Sequence, residues 1–140
     1  MKVFKTKNVS LYGSLLEKGT SNDFTYLKYS DGTLIQYGNI PKTNFLTETD
    51  NKTTAQGITW YRSGANQVFF PINFINSNYA INLTVHSTYT AGARVYMPRL
   101  NGKNPSNFTP QLTSVDNFKE NDAGYTPLES VSFIAIGRWK

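Results

Sequence analysis

Apolar and polar residues alternate most regularly between Tyr79 and His86, in Y-A-I-N-L-T-V-H. Tyr79, Ile81, Leu83 and Val85 share one face, and Ala80, Asn82, Thr84 and His86 share the other. That pattern predicts a half-buried strand. Two β-rich runs, Tyr26 to Tyr29 and Thr33 to Gly38, flank Ser30-Asp31-Gly32. Asp-Gly between such runs predicts a hairpin closed by a type I′ turn at Asp31-Gly32. Gly57 to Tyr61, Val68 to Phe70, Ala93 to Met97 and Phe108 to Val115 read as further short strands. Pro71 limits the ladder of the second of these, and Pro110 interrupts the last. Ser63 to Asn66, Asn76 to Asn78 and residues 101–107 are turn-formers. Residues 39–56 and 118–127 carry no period and read as loops. Short strands at this spacing, with no long helical run, predict an all-β fold, an antiparallel β-sandwich.

The last run, V-S-F-I-A-I-G-R-W-K from Val131 to Lys140, does not fit simple alternation. Val131, Phe133, Ala135, Gly137 and Trp139 fall on one side, and Ser132, Ile134, Ile136 and Arg138 on the other. Its middle is apolar on both sides, whereas a strand with one wet face alternates. Both faces are therefore expected to be dry, one on the domain's own core and one on a second sheet or another copy of the chain. Residues 1–25 show no decided pattern and read as a short lead segment or shaft remnant, with the domain proper at 26–140.

The chain has 140 residues, enough for one domain with a core of its own. Only 16% of residues are charged, against a usual quarter or so, and Asn, Thr and Ser carry the polarity instead. There are no cysteines, which excludes disulfides and thiolate chemistry. The net charge is +5, with Lys2, Lys5 and Lys7 clustered at the start. Such a cluster solubilises a frayed terminus or attracts anionic surfaces. No aromatic-basic nucleic-acid motif accompanies it, so no nucleic-acid partner is expected. No apolar run is long enough to span a membrane, and M-K-V-F-K-T-K-N lacks the apolar stretch of a secretion signal.

Three stretches in order resemble a known family. They are Y-L-K-Y-S-D-G-T-L-I-Q-Y-G (Tyr26 to Gly38), V-F-F-P-I-N-F (Val68 to Phe74) followed by N-Y-A-I (Asn78 to Ile81), and F-I-A-I-G-R-W (Phe133 to Trp139). Together they resemble the C-terminal tip domain of bacteriophage tail fibre proteins, which shows a G-x-x-I-Q-W-G hairpin, an F-P-x-x-F strand and a closing W-x-A-x-G strand. Tyr37 and Phe133 stand where that family usually has Trp. The resemblance covers residues 26–140. It implies an H-type-lectin-like β-sandwich assembled as a parallel homotrimer at the distal end of a virion's tail fibre. It also implies adhesion to a bacterial surface receptor, a polysaccharide or an outer-membrane protein, and contact with other tail fibre or baseplate proteins. Trimeric attachment multiplies weak contacts.

No catalytic residue, metal or cofactor is expected. His86 is the lone histidine and cannot form a metal site or a catalytic dyad within one chain. Asp116, Glu120, Asp122 and Glu129 lie close in sequence, and paired carboxylates cleave glycosidic bonds when about 5 to 9 Å apart. A fibre-borne polysaccharide hydrolase is therefore one alternative, although acids in a Gly- and Asn-containing loop are usually just solvated. A purely structural capping or trimerisation module is another. For receptor binding, flat aromatic faces stack on sugar rings while Asn, Asp and Arg read hydroxyls. The candidates are Trp60, Tyr61, Arg62, Tyr89, Arg94, Tyr96, Arg99 and Tyr125, with Asn101 and Asn104 close by. The rival reading is that tyrosines pack at strand ends with their phenols in water. Phe133, Ile134, Ile136 and Trp139 are the candidates for the oligomer interface.

Overall fold

The computed structural model describes residues 13–46, 48–53, 56–57, 59–88, 96–114 and 128–140. The first sheet begins with a hairpin of β1 (Leu15–Ser21) and β2 (Phe24–Tyr29). Asn22 and Asp23 both have positive φ, 53° and 64°, and Ser21 pairs with Phe24 across them. This is the two-residue I′ geometry, which Asn and Asp adopt more readily than other side chains. The lead up to residue 25 is therefore part of the sheet from Leu15 on, and Phe24 lies in the core.

The turn at Asp31-Gly32 is where the sequence places it, but its type differs. Gly32 has φ of 92° and donates its N–H to Tyr29 O at 3.0 Å, while Asp31 keeps negative φ. The three-residue loop thus makes a type I turn followed by a left-handed glycine, the alternative for hairpins one residue longer. The Asp31 carboxylate accepts from Thr33 N–H at 2.8 Å and Thr33 Oγ1 at 3.0 Å, fixing the start of the next strand.

That strand, β3 (Thr33–Pro41), runs into the stretch expected to be loop. Asn39, Ile40 and Pro41 continue pairing with the last strand, and Ile40 is buried. After a 3-10 turn at Lys42–Asn44, β4 (Glu48–Thr53) adds a second strand inside the same stretch. Among the described residues it pairs with β5 (Thr59–Ser63) alone, at the sheet edge. Backbone bonding rather than side-chain alternation makes such a strand, so E-T-D-N-K-T shows no period.

β6 (Val68–Phe69) is short, β7 (Ala80–Ser87) alternates as predicted, and β8 (Tyr96–Asn104) and β9 (Asn107–Ser114) form a hairpin. The turn-former run at 101–107 is mostly strand, and only Pro105-Ser106 turn. β10 (Leu128–Arg138) closes the chain. Every pairing is antiparallel. One sheet has the order β1-β2-β3-β10-β7. The other has β4-β5-β9-β6, with β8 paired to β9. β5 and β6 lie along one edge of β9, Arg62 opposite Thr113 and Val68 opposite Phe108. In the gap between them Ser63 Oγ accepts from Leu112 N–H at 2.9 Å and donates to Gly64 O at 2.8 Å. A hydroxyl replaces the missing backbone partner, which a buried N–H requires.

β10 is central, bonded to β3 on one side and β7 on the other. Val131, Phe133 and Ala135 point into the core, while Ile134 and Ile136 remain 43% and 39% exposed. Within one chain only one face of β10 is dry. Both sheets contribute to a single core, in which the Phe108 and Phe133 rings lie 5.0 Å apart and Phe24 meets Phe133 edge-on at 4.9 Å. Phe70 contacts Phe74, Tyr79, Phe108 and Phe133. Each buried ring contributes about 1.5–3 kcal/mol by area, and well-placed pairs add about 0.5–1.5 kcal/mol.

The three stretches that carry the family resemblance bond to one another. The Gln36 amide is fully buried, donating to Ile72 O at 2.8 Å and accepting from Ile72 N–H at 3.0 Å. Phe74 stacks on Tyr79 at 4.5 Å, and both press on Gly137. Ile75 N–H donates to Arg138 O at 2.9 Å, and Trp139 N–H to Gly32 O at 3.0 Å.

Candidate functional site

Strand parity sorts the sequence-predicted residues. Tyr61, Ser114 and Tyr96 form one cross-strand row, and Arg62, Thr113 and Met97 form the next. Successive rows face opposite sides of a sheet. Tyr61 packs against the core and Tyr96 is buried in it, so these two act as core residues, the role that tyrosines at strand ends often take. Trp60 and Arg62 lie on the outer face instead, both half-buried, and Met97, 42% exposed, lies on that face across Thr113 from Arg62.

Arg99 is exposed on that same face, opposite Gln111. Its Nε donates to Gln111 Oε1 at 2.9 Å, and one terminal nitrogen reaches Asn101 Oδ1 at 3.4 Å. Gln111 in turn donates from Nε2 to Ser63 O at 3.0 Å, and it is buried although it lies on the outward side. The guanidinium is thereby oriented by a chain of bonds ending in the backbone. It keeps donors for a further acceptor, since an arginine carries five N–H groups. Trp60, Arg62, Met97 and Arg99 thus share the outer face of this sheet, spread over β5 and β8 with β9 between them. Asn104 is elsewhere, bonded to Asn107 at the β8–β9 turn.

Tyr89, Arg94 and Tyr125, with the acids Asp116, Glu120 and Asp122, lie outside the described residues. Glu129 is exposed on β10. His86 is exposed on the outer face of the first sheet, its Nε2 2.8 Å from Ser132 Oγ.

The four interface candidates divide. Phe133 is 3% exposed and belongs to the chain's own core, because its parity on β10 turns it toward Phe24 and Phe108. It is not available to a neighbour. Trp139 is half-buried against its own chain, with Nε1 donating to Tyr29 O at 3.2 Å and the Lys28 ammonium 5.2 Å from its ring. Ile134 and Ile136 lie outward. Ile134 sits opposite Tyr37, itself 38% exposed, and Ile136 opposite Ile35. These four make an apolar stripe on two central strands.

Hollows open on the surface, two of them lined by described residues. One, of about 370 Å³, is at the sheet end where the Asn22 turn, Pro41, Asn44 and β6 meet. The other, of about 230 Å³, lies between β7 and β8 and is lined by Ile81, Asn82, Leu83, Pro98, Arg99 and Leu100. No residue of the first was a sequence candidate. The available signal was Phe69, which breaks the apolar-in pattern and stands 53% exposed.

Near the first hairpin, Tyr26 donates to Glu17 Oε1 at 2.6 Å and Lys28 to Glu17 Oε2 at 3.0 Å. The tyrosine hydroxyl, and then the lysine, hold the Glu17 carboxyl below its ordinary value, and the same bond to Glu17 raises the Tyr26 phenol. Burial pushes the Tyr79 phenol up to about 12, so it remains a donor to the carbonyls of Asn104 and Asn107. Compared with known proteins, the chain matches no family model, no curated protein and no solved structure.

Proposed function

We propose that this chain is the receptor-binding tip domain of a phage or phage-derived tail fibre, and that it attaches the virion to a bacterial surface without catalysis. The observation that carries the reading is the bonding among the three family-like stretches. Gln36 holds Ile72, Phe74 packs on Gly137, and Trp139 returns to Gly32. Residues that recur together as a signature are here one mechanical unit.

On this reading the two sheets are the layers of a β-sandwich, and three copies associate in parallel. The stripe of Ile35, Tyr37, Ile134 and Ile136 is the subunit contact. A bare apolar stripe on central strands suits burial against a copy better than water. The patch of Trp60, Arg62 and Arg99, on the opposite sheet, then faces the receptor, with flat apolar surface for a sugar ring and cationic donors for its hydroxyls or acidic groups.

Light scattering of the purified chain, paired with a cell-binding assay on a panel of bacteria, tests this. A trimer that binds at least one strain is expected. A monomer at micromolar concentration that binds none defeats the reading. Release of oligosaccharides from the bound polysaccharide would show a hydrolase instead.

A further inference from the structure

We infer that the hollow between β7 and β8 binds a compact carboxylate-bearing group through Arg99. One wall is Ile81, Asn82 and Leu83 of β7, and the other is Pro98, Arg99 and Leu100 of β8. Its volume of about 230 Å³ is below the about 300–1,000 Å³ of sites that enclose drug-sized molecules, so it suits one compact group. An extended segment threaded between the strands would need about 9.6 Å from one to the other, and β7 and β8 come within 8 Å, Cα to Cα, over part of their length. A group that enters end-on meets no such limit.

Arg99 sets the ligand's chemistry, and its neighbours hold it in place. Its Nε donates to Gln111 Oε1 at 2.9 Å, and Nη2 reaches Asn101 Oδ1 at 3.4 Å. Gln111 is 4% exposed and tied through Nε2 to Ser63 O at 3.0 Å, so a buried amide is committed to aiming an exposed cation. Of the five N–H groups of an arginine, both on Nη1 and one on Nη2 are left. They form a fork that a carboxylate meets with two parallel bonds. Both side chains that hold the guanidinium are neutral, and no carboxylate pairs with it among the described residues. Its charge is therefore left for a ligand. Arg99 is the one charged residue among the six lining the hollow, which suits a single negative charge better than a phosphate dianion. Ile81, Leu83 and Leu100, all half-buried, offer apolar wall to the carbon skeleton that carries the carboxylate. Asn82, exposed on the opposite wall, adds an amide for a hydroxyl or carbonyl of the same ligand. The ligand class follows from the guanidinium and is independent of the adhesion reading, although Arg99 is common to both.

The test is an NMR titration of the full chain with glucuronate, N-acetylalanine, glucose and sulfate at fixed ionic strength, read at the Arg99 Nε–H and the side-chain amides of Asn82 and Gln111. Glucose differs from glucuronate by a hydroxymethyl group in place of the carboxylate. At least one of the two carboxylates is expected to shift the Arg99 and Asn82 signals, with glucose and sulfate at least about tenfold weaker. The tighter of the two names the source, a sugar acid or a peptide carboxyl terminus. Arg99→Lys should lower the affinity about tenfold, because an ammonium lacks the planar fork. Asn82→Asp changes an exposed, near-isosteric side chain and should abolish binding, because it sets a second negative charge on the opposite wall. Absence of shifts at Arg99 with both carboxylates overturns the inference, as does equal binding of glucose or sulfate, or unchanged affinity in either variant. Cell binding separates the two readings. A parent chain that attaches to cells but binds neither carboxylate rejects the hollow and keeps adhesion. Carboxylate binding by a chain that attaches to no cell keeps the hollow and rejects adhesion.

Discussion

A methyl group on Gly137 would sit 2.7 Å from Phe74 Cδ1 and 2.7 Å from Tyr79 Cβ. The glycine is therefore a seat for an aromatic stack rather than a hinge. Gly137→Ala is expected to destabilise the fold by about 1–3 kcal/mol through overpacking. A denaturant midpoint series checks it, and a variant as stable as the parent would show that the stack can slide.

Gln36 uses its buried amide as a stand-in peptide for Ile72. Gln36→Leu is close in size but strands the part-buried carbonyl and N–H of Ile72. Each lost partner costs about 1–3 kcal/mol. The loss should appear first as faster hydrogen exchange at Ile72, ahead of any global change.

Ile134 is 43% exposed in the isolated chain. Ile134→Asp is therefore expected to fold and to lose assembly, giving a soluble monomer by light scattering with a parental far-UV spectrum. Phe133→Ala is the contrasting variant. It hollows the core and should cost about 3–5 kcal/mol whatever the oligomeric state. An Ile134→Asp variant that assembled just as the parent does would show that the stripe is not the proposed contact.

Hydrogen bonds from Thr33, the backbone N–H first, hold the Asp31 carboxyl below its ordinary value. A depressed folded-state value means that the stabilisation is present above the unfolded value, about pH 3.9, and is lost as pH falls through the folded one. Thermal unfolding followed from pH 6 downward should decline over that window, and Asp31→Asn should flatten that part of the decline. An identical slope in the variant would remove Asp31 from the account.

Arg99 is exposed, yet its guanidinium is aimed by Gln111. Arg99→Ala and Trp60→Ala are expected to weaken cell attachment by severalfold, with little effect on melting. Gln111→Leu should weaken it too, by letting the arginine wander, and Arg99→Lys should not restore it, because a lysine lacks the planar fork. Attachment unchanged in all four would remove this face from the proposed receptor contact.

Much of the strand pattern was legible because alternation and turn chemistry are local. Tyr79 to His86 and Val131 to Arg138 could be read from spacing alone. What escaped was set by neighbours distant in sequence. β4 has no apolar period, because an edge strand is defined by the backbone it pairs with. The hairpin at Asn22-Asp23 has no glycine to announce it, although Asn and Asp tolerate the same backbone. Tyr61 and Tyr96 looked like surface aromatics until the register with Ser114 placed them in one inward row. For Phe133 and Ile134, parity gave two opposite faces, and only the position of the second sheet decided which was inside. The hollow beside Asn44 was invisible, because it is assembled from a turn, a 3-10 segment and a two-residue strand.

The place of β10 between β3 and β7 also governs how the chain reaches this state. β1, β2 and β3 close through two short loops and can form early. Their free edge at β3 then waits for a segment well over half the chain length away, Pro41 pairing with Ser130 and Thr33 with Arg138, and among the described residues β7 has no partner in its sheet until the same segment arrives. Closing so large a loop precedes any reward from the contacts it makes, so docking of β10 is expected to be the slow step of folding. Until it docks, the open edge of β3 is a template for any extended chain, including the β10 of a neighbouring copy. Slow folding and strand exchange between copies are thus both expected of one topological choice, with exchange favoured as the concentration at which the chain folds rises.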